Sequence, residues 1–457
     1  MMKKVTTVLT TFLLATYGFS QQGVMKLSDC LNYSLQHSPY VTIANNSDKQ
    51  FKYDKLDLYS SYLPKINGSV SVDDNLKVAT TVIPSSSLGF QNFLPPGMTL
   101  PNMDKDIQMR MGLRYNNSAS VQLDQKLIDV SSIIGINGMK EYKALSDMNK
   151  QKTLEDLMYD VAMSYYQVMI VDQKIKLLQD NKAQYDALIQ IMQLQLNKGV
   201  IKQVDFNRVQ VALNNITSQL SLVNISRDVA LNRLKVMIGL PIDEPLQIDE
   251  NESTLSNTSL PASVDPNVSN RIDYRIMQQN IKLQELNVNV TKNSFWPTLG
   301  VYARYGASSY SDKFADSWKK FYDFSTIGIK LTVPLFNGLK VNTAYHKQLI
   351  QLDNMKAQSK IMEENYKVEY LNSRSKLVEA HTSYSTNMEN MNLAKEVYEV
   401  TNLSYQKGAS SLSDFLNADF SYKEAQNNYL TSLINLLSSR LDFEKSKGNL
   451  ANYLNAK

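Results

Sequence analysis

The sequence predicts a mainly α-helical, internally duplicated protein with a small transmembrane β part. Long coiled-coil helices form a helical barrel, and four strands per protomer contribute to a trimeric twelve-stranded β-barrel. Three observations predict this: the chain is written twice, each half holds a period-two stretch between helical ones, and each half carries a helical pattern of about 70 residues with no internal proline.

The duplication is read from a motif. Leu194, Lys198-Gly199 and Asp205-Phe206 recur as Leu403, Lys407-Gly408 and Asp414-Phe415, a constant shift of 209 residues that persists through Leu234/Phe443 to Gly239/Gly448. Upstream, Leu63-Pro64-Lys65-Ile66 is echoed by Trp296-Pro297-Thr298-Leu299, and Lys126-Leu127-Ile128-Asp129 by Pro334-Leu335-Phe336-Asn337. The first repeat spans 21–241 and the second 266–457, with a linker at 242–265.

Before the first repeat, Lys3 and Lys4 precede an apolar stretch from Val5 to Ala15 and then Gly18-Phe19-Ser20, the pattern of a cleaved export signal over residues 1–20. Its removal lowers the 48 basic residues to 46 against 44 acidic ones, which gives no electrostatic case for nucleic acid. No later stretch approaches the roughly 20 apolar residues of a membrane helix, so membrane entry requires strands. Cys30 is the single cysteine, so no intrachain disulfide forms, and it reads as a packed side chain.

Within the first repeat a helix begins with Ser28 as N-cap, is kinked by Pro39 and stops at Pro64. The period then becomes two, with Ile66, Gly68, Val70 and Val72 on one face and Asn67, Ser69, Ser71 and Asp73 on the other. A loop rich in Pro, Ser and Asn follows, and alternation returns with Ala119, Val121 and Leu123, making a hairpin over 64–124. The second repeat has its hairpin at 297–335, with Leu299, Val301, Ala303, Tyr305, Ile327, Ile329 and Leu331 on the apolar face.

The long helices run from Leu127 to 197 and from Asn337 to 406, about 105 Å at 1.5 Å per residue. In the first, apolar residues keep heptad spacing from Leu154 to Leu196, broken only by Ser164 and Lys182. Shorter return helices occupy 203–238 and 411–448, and Gly239 with Pro241 ends the first of them.

Four strands cannot close a barrel, and an open edge in lipid leaves backbone groups unpaired. Closure must come from other chains. Two chains give eight strands and a lumen filled by side chains, whereas three give twelve and an aqueous lumen. The cluster Phe295, Trp296, Tyr302, Tyr305, Tyr310, Trp318, Phe321, Tyr322 and Phe324 reads as an interfacial girdle.

The order Leu27-Ser28-Asp29, Leu63-Pro64-Lys65-Ile66, Gly239-Leu240-Pro241, Pro334-Leu335-Phe336-Asn337-Gly338, Lys407-Gly408 and Asp414-Phe415-Leu416-Asn417-Ala418 resembles the TolC-like outer-membrane efflux proteins over nearly the whole mature chain. The resemblance implies a homotrimer in the Gram-negative outer membrane, among its lipids, with a helical tunnel extending into the periplasm. It also implies a periplasmic adaptor and an inner-membrane pump of RND or ABC type as partners, and a passive channel in a tripartite efflux or secretion system. The competing class is a periplasmic coiled-coil spacer or adhesin without a pore, against which the alternating strands speak.

No phosphate loop, nucleophile elbow or metal-ligand spacing occurs, and His37, His346 and His381 lie far apart, so the chain reads as no enzyme, with no cofactor and no metal. The candidate site is the tip formed by Lys198, Gly199, Asp205, Phe206, Lys407, Gly408, Asp414 and Phe415. Its structural reading is a pair of glycine turns, with Ser411 and Asp414 as a capping box. The resemblance adds adaptor docking there, and an entrance gate formed by Asp205, Arg208, Asp414 and Asp419. Lys202 where the second copy has Ser411, and Gln125-Lys126 where it has Val333-Pro334, predict a less regular first copy.

Overall fold

The computed structural model describes residues 24–83, 107–249 and 267–455; the export signal, the proline-rich part of the first hairpin loop and most of the 242–265 linker lie outside them. These residues form two compact units that do not follow the repeats. One comprises 24–51, 141–249, 267–282 and 353–455, and the other 52–83, 107–140 and 283–352, so each draws on both halves of the sequence.

In chain order the helices are α1 (Leu27–His37), α2 (Pro39–Ser60), α3 (Val130–Asn137), α4 (Met139–Asn197), α5 (Gln203–Ile238), α6 (Ile272–Lys292), α7 (Lys340–Gln406), α8 (Leu412–Ser446) and α9 (Leu450–Asn455). The strands are β1 (Lys65–Asp74), β2 (Thr80–Ile83), β3 (Ile107–Arg110), β4 (Tyr115–Ile128), β5 (Thr298–Ser311) and β6 (Tyr322–Thr332). Among the described residues, no helix is long and apolar enough to cross a membrane.

Several helix boundaries differ from the sequence reading. The first helix starts one residue before Ser28, because the Asp29 carboxylate accepts the Lys26 N–H at 3.0 Å and makes Lys26 the N-cap. Pro39 breaks rather than kinks it, with Ser38 extended between α1 and α2. Leu127 and Ile128 belong to β4, and Asp129 caps α3 by accepting the Ser132 N–H. The first long helix is therefore divided at Gly138, where the Leu286 side chain fills the space a Cβ would need. The second starts at Lys340, after Gly338 and Leu339 both adopt positive φ.

The helical unit is held by apolar clusters, one of them large, and by polar cross-links. Val161, Ala162 and Val168 of α4, Leu234 and Ile238 of α5 and Leu441 of α8 are fully buried together with Cys30, whose thiol burial pushes up to about 12. Leu246 and Ile248 of the linker join this core, with Ile248 bridging to Met25. Along α4 the buried seam passes through Asn181 and Leu188 rather than Lys182 and Ile189, because Asn181 finds a buried partner in Gln426 at 3.1 Å while Lys182 pairs with Asp186. Asp48 bridges Lys143 and Lys150 at 3.1 and 3.0 Å, which holds its carboxyl below the ordinary range.

In the other unit, strands run antiparallel in the order β1-β4-β5-β6, so the two hairpins join through β4 and β5. β2 and β3 pair separately within the excursion read as a loop. Register places Ile66 with Leu123, Ala303 and Ile327 on one face, and Ser69 with Ser120, Gly306 and Phe324 on the other. The apolar face is bare: Val70 is 76% exposed, Ile327 86% and Ile329 74%. On the polar face Ser69 meets Ser120 at 3.1 Å and Ser71 meets Ser118 at 2.9 Å. The same register corrects the aromatic girdle. Tyr302, Tyr310, Tyr322 and Phe324 lie on the polar face, where the Tyr302 ring covers Gly328 and Phe324 covers Gly306.

Two glycines with positive φ separate strain from crowding. A Cβ on Gly239 would lie 2.5 Å from the His37 carbonyl oxygen, whereas one on Gly199 meets nothing within 4 Å. Gly199→Ala is expected to cost only the left-handed penalty of about 1–2 kcal/mol, and Gly239→Ala distinctly more. Melting of the detergent-solubilised proteins checks this, and equal losses would contradict it.

Candidate functional site

Both tip turns are built alike from the backbone up. Gly199 has φ +69° and Gly408 φ +73°, conformations costly for residues with a Cβ. In the first turn the Val200 N–H donates to the Gln195 carbonyl at 2.9 Å, and in the second the Ala409 N–H donates to the Ser404 carbonyl at 2.8 Å. These close the last turns of α4 and α7 in the Schellman manner.

The two copies differ in how the return helix begins. Ser411 accepts the Asp414 N–H at 3.2 Å, and the Asp414 carboxylate accepts the Ser411 N–H at 3.2 Å and hydroxyl at 2.6 Å. These bonds hold the Asp414 carboxyl below its ordinary range. Lys202 occupies the same place on α5 without a side-chain cap.

The phenylalanines anchor the turns. Phe415 is buried among Tyr185, Tyr398 and Tyr405, while Phe206 packs half-buried on the same cluster with Val209 and Met192. Lys198, Gly199, Lys407 and Gly408 are exposed.

The proposed gate residues do not form one cluster. Arg208 lies 3.9 Å from Asp205 one helical turn away. Asp414 is occupied by its cap. Asp419 is buried within the chain, accepting the Tyr185 hydroxyl at 2.5 Å and Lys423 Nζ at 2.7 Å, with that ammonium 4.1 Å from the Tyr185 ring centre. Burial and the Asp419 charge both push the Tyr185 phenol upward. Sequence reasoning missed Tyr185 and Lys423; the Asp419–Lys423 spacing of one helical turn was the available signal. Beside the turns, Val204, Arg208, Val211 and Leu416 line a shallow groove of about 490 Å³.

A model of a family described as outer membrane efflux protein matches residues 106–240 and 268–449. The chain is 24% identical over 224 residues to the alkaline protease secretion protein AprF of Pseudomonas aeruginosa, covering 48% of this chain and 46% of that protein. It is 22% identical to the toxin and drug export protein A of Aggregatibacter actinomycetemcomitans, covering 65% and 64%. The chain thus spans about half to two thirds of the length of these relatives. In fold it is similar to the Campylobacter jejuni CmeC outer membrane channel, with a TM-score of 0.70 at 16% identity over 93% of this chain and 86% of that one.

Removing the charge from the second cap has an effect of defined sign. A lowered carboxyl value stabilises the folded turn above the unfolded value of about 3.9, and that stability is lost as pH falls through the lower folded value. Asp414→Asn is therefore expected to reduce amide exchange protection at the start of α8 near neutral pH, and to converge with the parent protein in strong acid. A gap that persists unchanged in acid would refute the assignment.

Proposed function

Because the chain belongs to the outer membrane efflux protein family, we propose that it is the outer-membrane channel component of a tripartite efflux or secretion system. Cargo delivered by an inner-membrane pump and a periplasmic adaptor passes through it without chemistry. One observation carries this reading: a four-stranded sheet whose apolar face is bare and whose outer strands, β1 and β6, each pair on one side only among the described residues.

Three such sheets joined β6 to β1 make a twelve-stranded barrel, with Ile66, Val70, Ile327 and Ile329 against lipid and the serine face against water. The helical unit supports the same assembly. Exposed apolar residues on α7, among them Val397, Val400 and Leu403, and on α5, among them Leu222, Ile225 and Val229, need neighbours that a second and third copy supply.

Adaptor docking falls to the exposed turns at Lys198-Gly199 and Lys407-Gly408. Their open surroundings leave room for a partner's side chains. The names of the relatives, in protease secretion and in toxin and drug export, suggest cargo between small molecules and proteins.

Reconstitution of the mature protein in planar bilayers separates this reading from a spacer or adhesin. A channel gives discrete conductance steps and heat-modifiable trimers on gels. A spacer gives no current, and that outcome would sink the proposal.

A further inference from the structure

The rows of the polar sheet face carry charge unevenly. Register places Lys126, Gly300 and Lys330 in one row, Lys65, Asp124, Tyr302 and Gly328 in the next, and Asn67, Gln122, Arg304 and Thr326 in the third. The following two rows are dominated by serine: Ser69 and Ser120, then Ser71, Ser118 and Ser308. The charge is therefore concentrated in the three rows nearest the strand ends that lead into α3 and α7 of the same unit.

Four basic residues, Lys65, Lys126, Arg304 and Lys330, stand there against one carboxylate on the strands, Asp124, among the described residues. Asp124 accepts both its bonds from Gln122 Nε2, at 3.0 and 2.9 Å. Lys126 is matched by Asp129 at 3.0 Å. Subtracting these two acids leaves a surplus of two positive charges per chain.

Arg304 is held in place rather than loose. Its Nη2 donates to Ser120 Oγ at 3.3 Å, and its guanidinium sits 5.1 Å from the Phe324 ring centre. An exposed, always charged group pinned to the sheet wall projects a fixed field along the row. Gly300, standing between Lys126 and Lys330, adds no side chain to their row.

We propose that these rows form a basic collar inside the barrel which favours passage of anionic solutes, with Arg304 and Lys330 as its selectivity-determining residues. The proposal rests on the closed-barrel reading above. A ring of fixed charge inside a low-dielectric wall concentrates counter-ions and excludes co-ions. The effect reaches about 10 Å at 0.1 M salt, so it acts across a narrow lumen and weakens as salt rises.

The test is the reversal potential of the full mature protein in planar bilayers under a KCl gradient, compared with the Arg304→Gln/Lys330→Gln variant. The chloride-to-potassium permeability ratio is expected to fall by about threefold or more in the variant, and the difference to shrink at high salt. Comparing the two proteins isolates the collar from carboxylates elsewhere along the duct. Lys330→Gln alone, a single exposed lysine, serves if the double variant does not assemble. Conducting channels with identical reversal potentials would overturn the collar and leave the channel standing. Absence of current from the parent protein would overturn both.

Discussion

The backbone groups along the outer sides of β1 and β6 are the constraint on which the other features depend. In hydrocarbon each unpaired N–H or C=O costs several kcal/mol, so a sheet of four strands with a bare apolar face cannot rest in lipid alone. Joining β6 of one chain to β1 of the next, as proposed, would satisfy these groups. It would also give the β4–β5 pairing within a chain and the β6–β1 pairing between chains equivalent parts. The duplication supplies that equivalence, because each hairpin is a copy of the other and both present apolar and polar faces in one register.

The helical unit meets a different demand with the same economy of parts. Its core joins both repeats through α4, α5 and α8, and the polar contacts across it are specific: Asn181 with Gln426, Tyr185 with Asp419, Asp48 with two lysines. The buried pairs among them, Asn181 with Gln426 and Tyr185 with Asp419, add little net stability, yet they forbid a slip of one helix along another. Long helices with a repeating apolar seam need such pins, since a heptad shift preserves apolar contact and breaks only the polar ones.

Much of this was legible in the sequence, for identifiable reasons. The strands were readable because lipid on one side and water on the other enforce strict alternation, as in Ile66 to Asp73. The turn glycines were readable because a left-handed residue admits few alternatives. The division at Gly138 was not readable, since it depends on Leu286, a residue far away in sequence whose side chain takes the place of a Cβ. The covering of Gly328 by Tyr302 and of Gly306 by Phe324 was hidden for the opposite reason: alternation already puts Tyr302 on the wet face, but only strand register shows which glycines these rings lie over. The burial of Asp419 likewise required knowing that Tyr185 faces it from another helix.

The emptiness around Gly199 and Gly408 bears on how such a protein changes over generations. Each turn is fixed by backbone bonds and by one phenylalanine reaching back into the core, while a Cβ on either glycine would meet nothing within 4 Å. Substitutions at the exposed neighbours Lys198, Val200, Lys407 and Ala409 can therefore accumulate without disturbing strands or seams. If these turns meet an adaptor as proposed, that contact can change by drift at a handful of surface sites with no accompanying change in the strands or the helix cores.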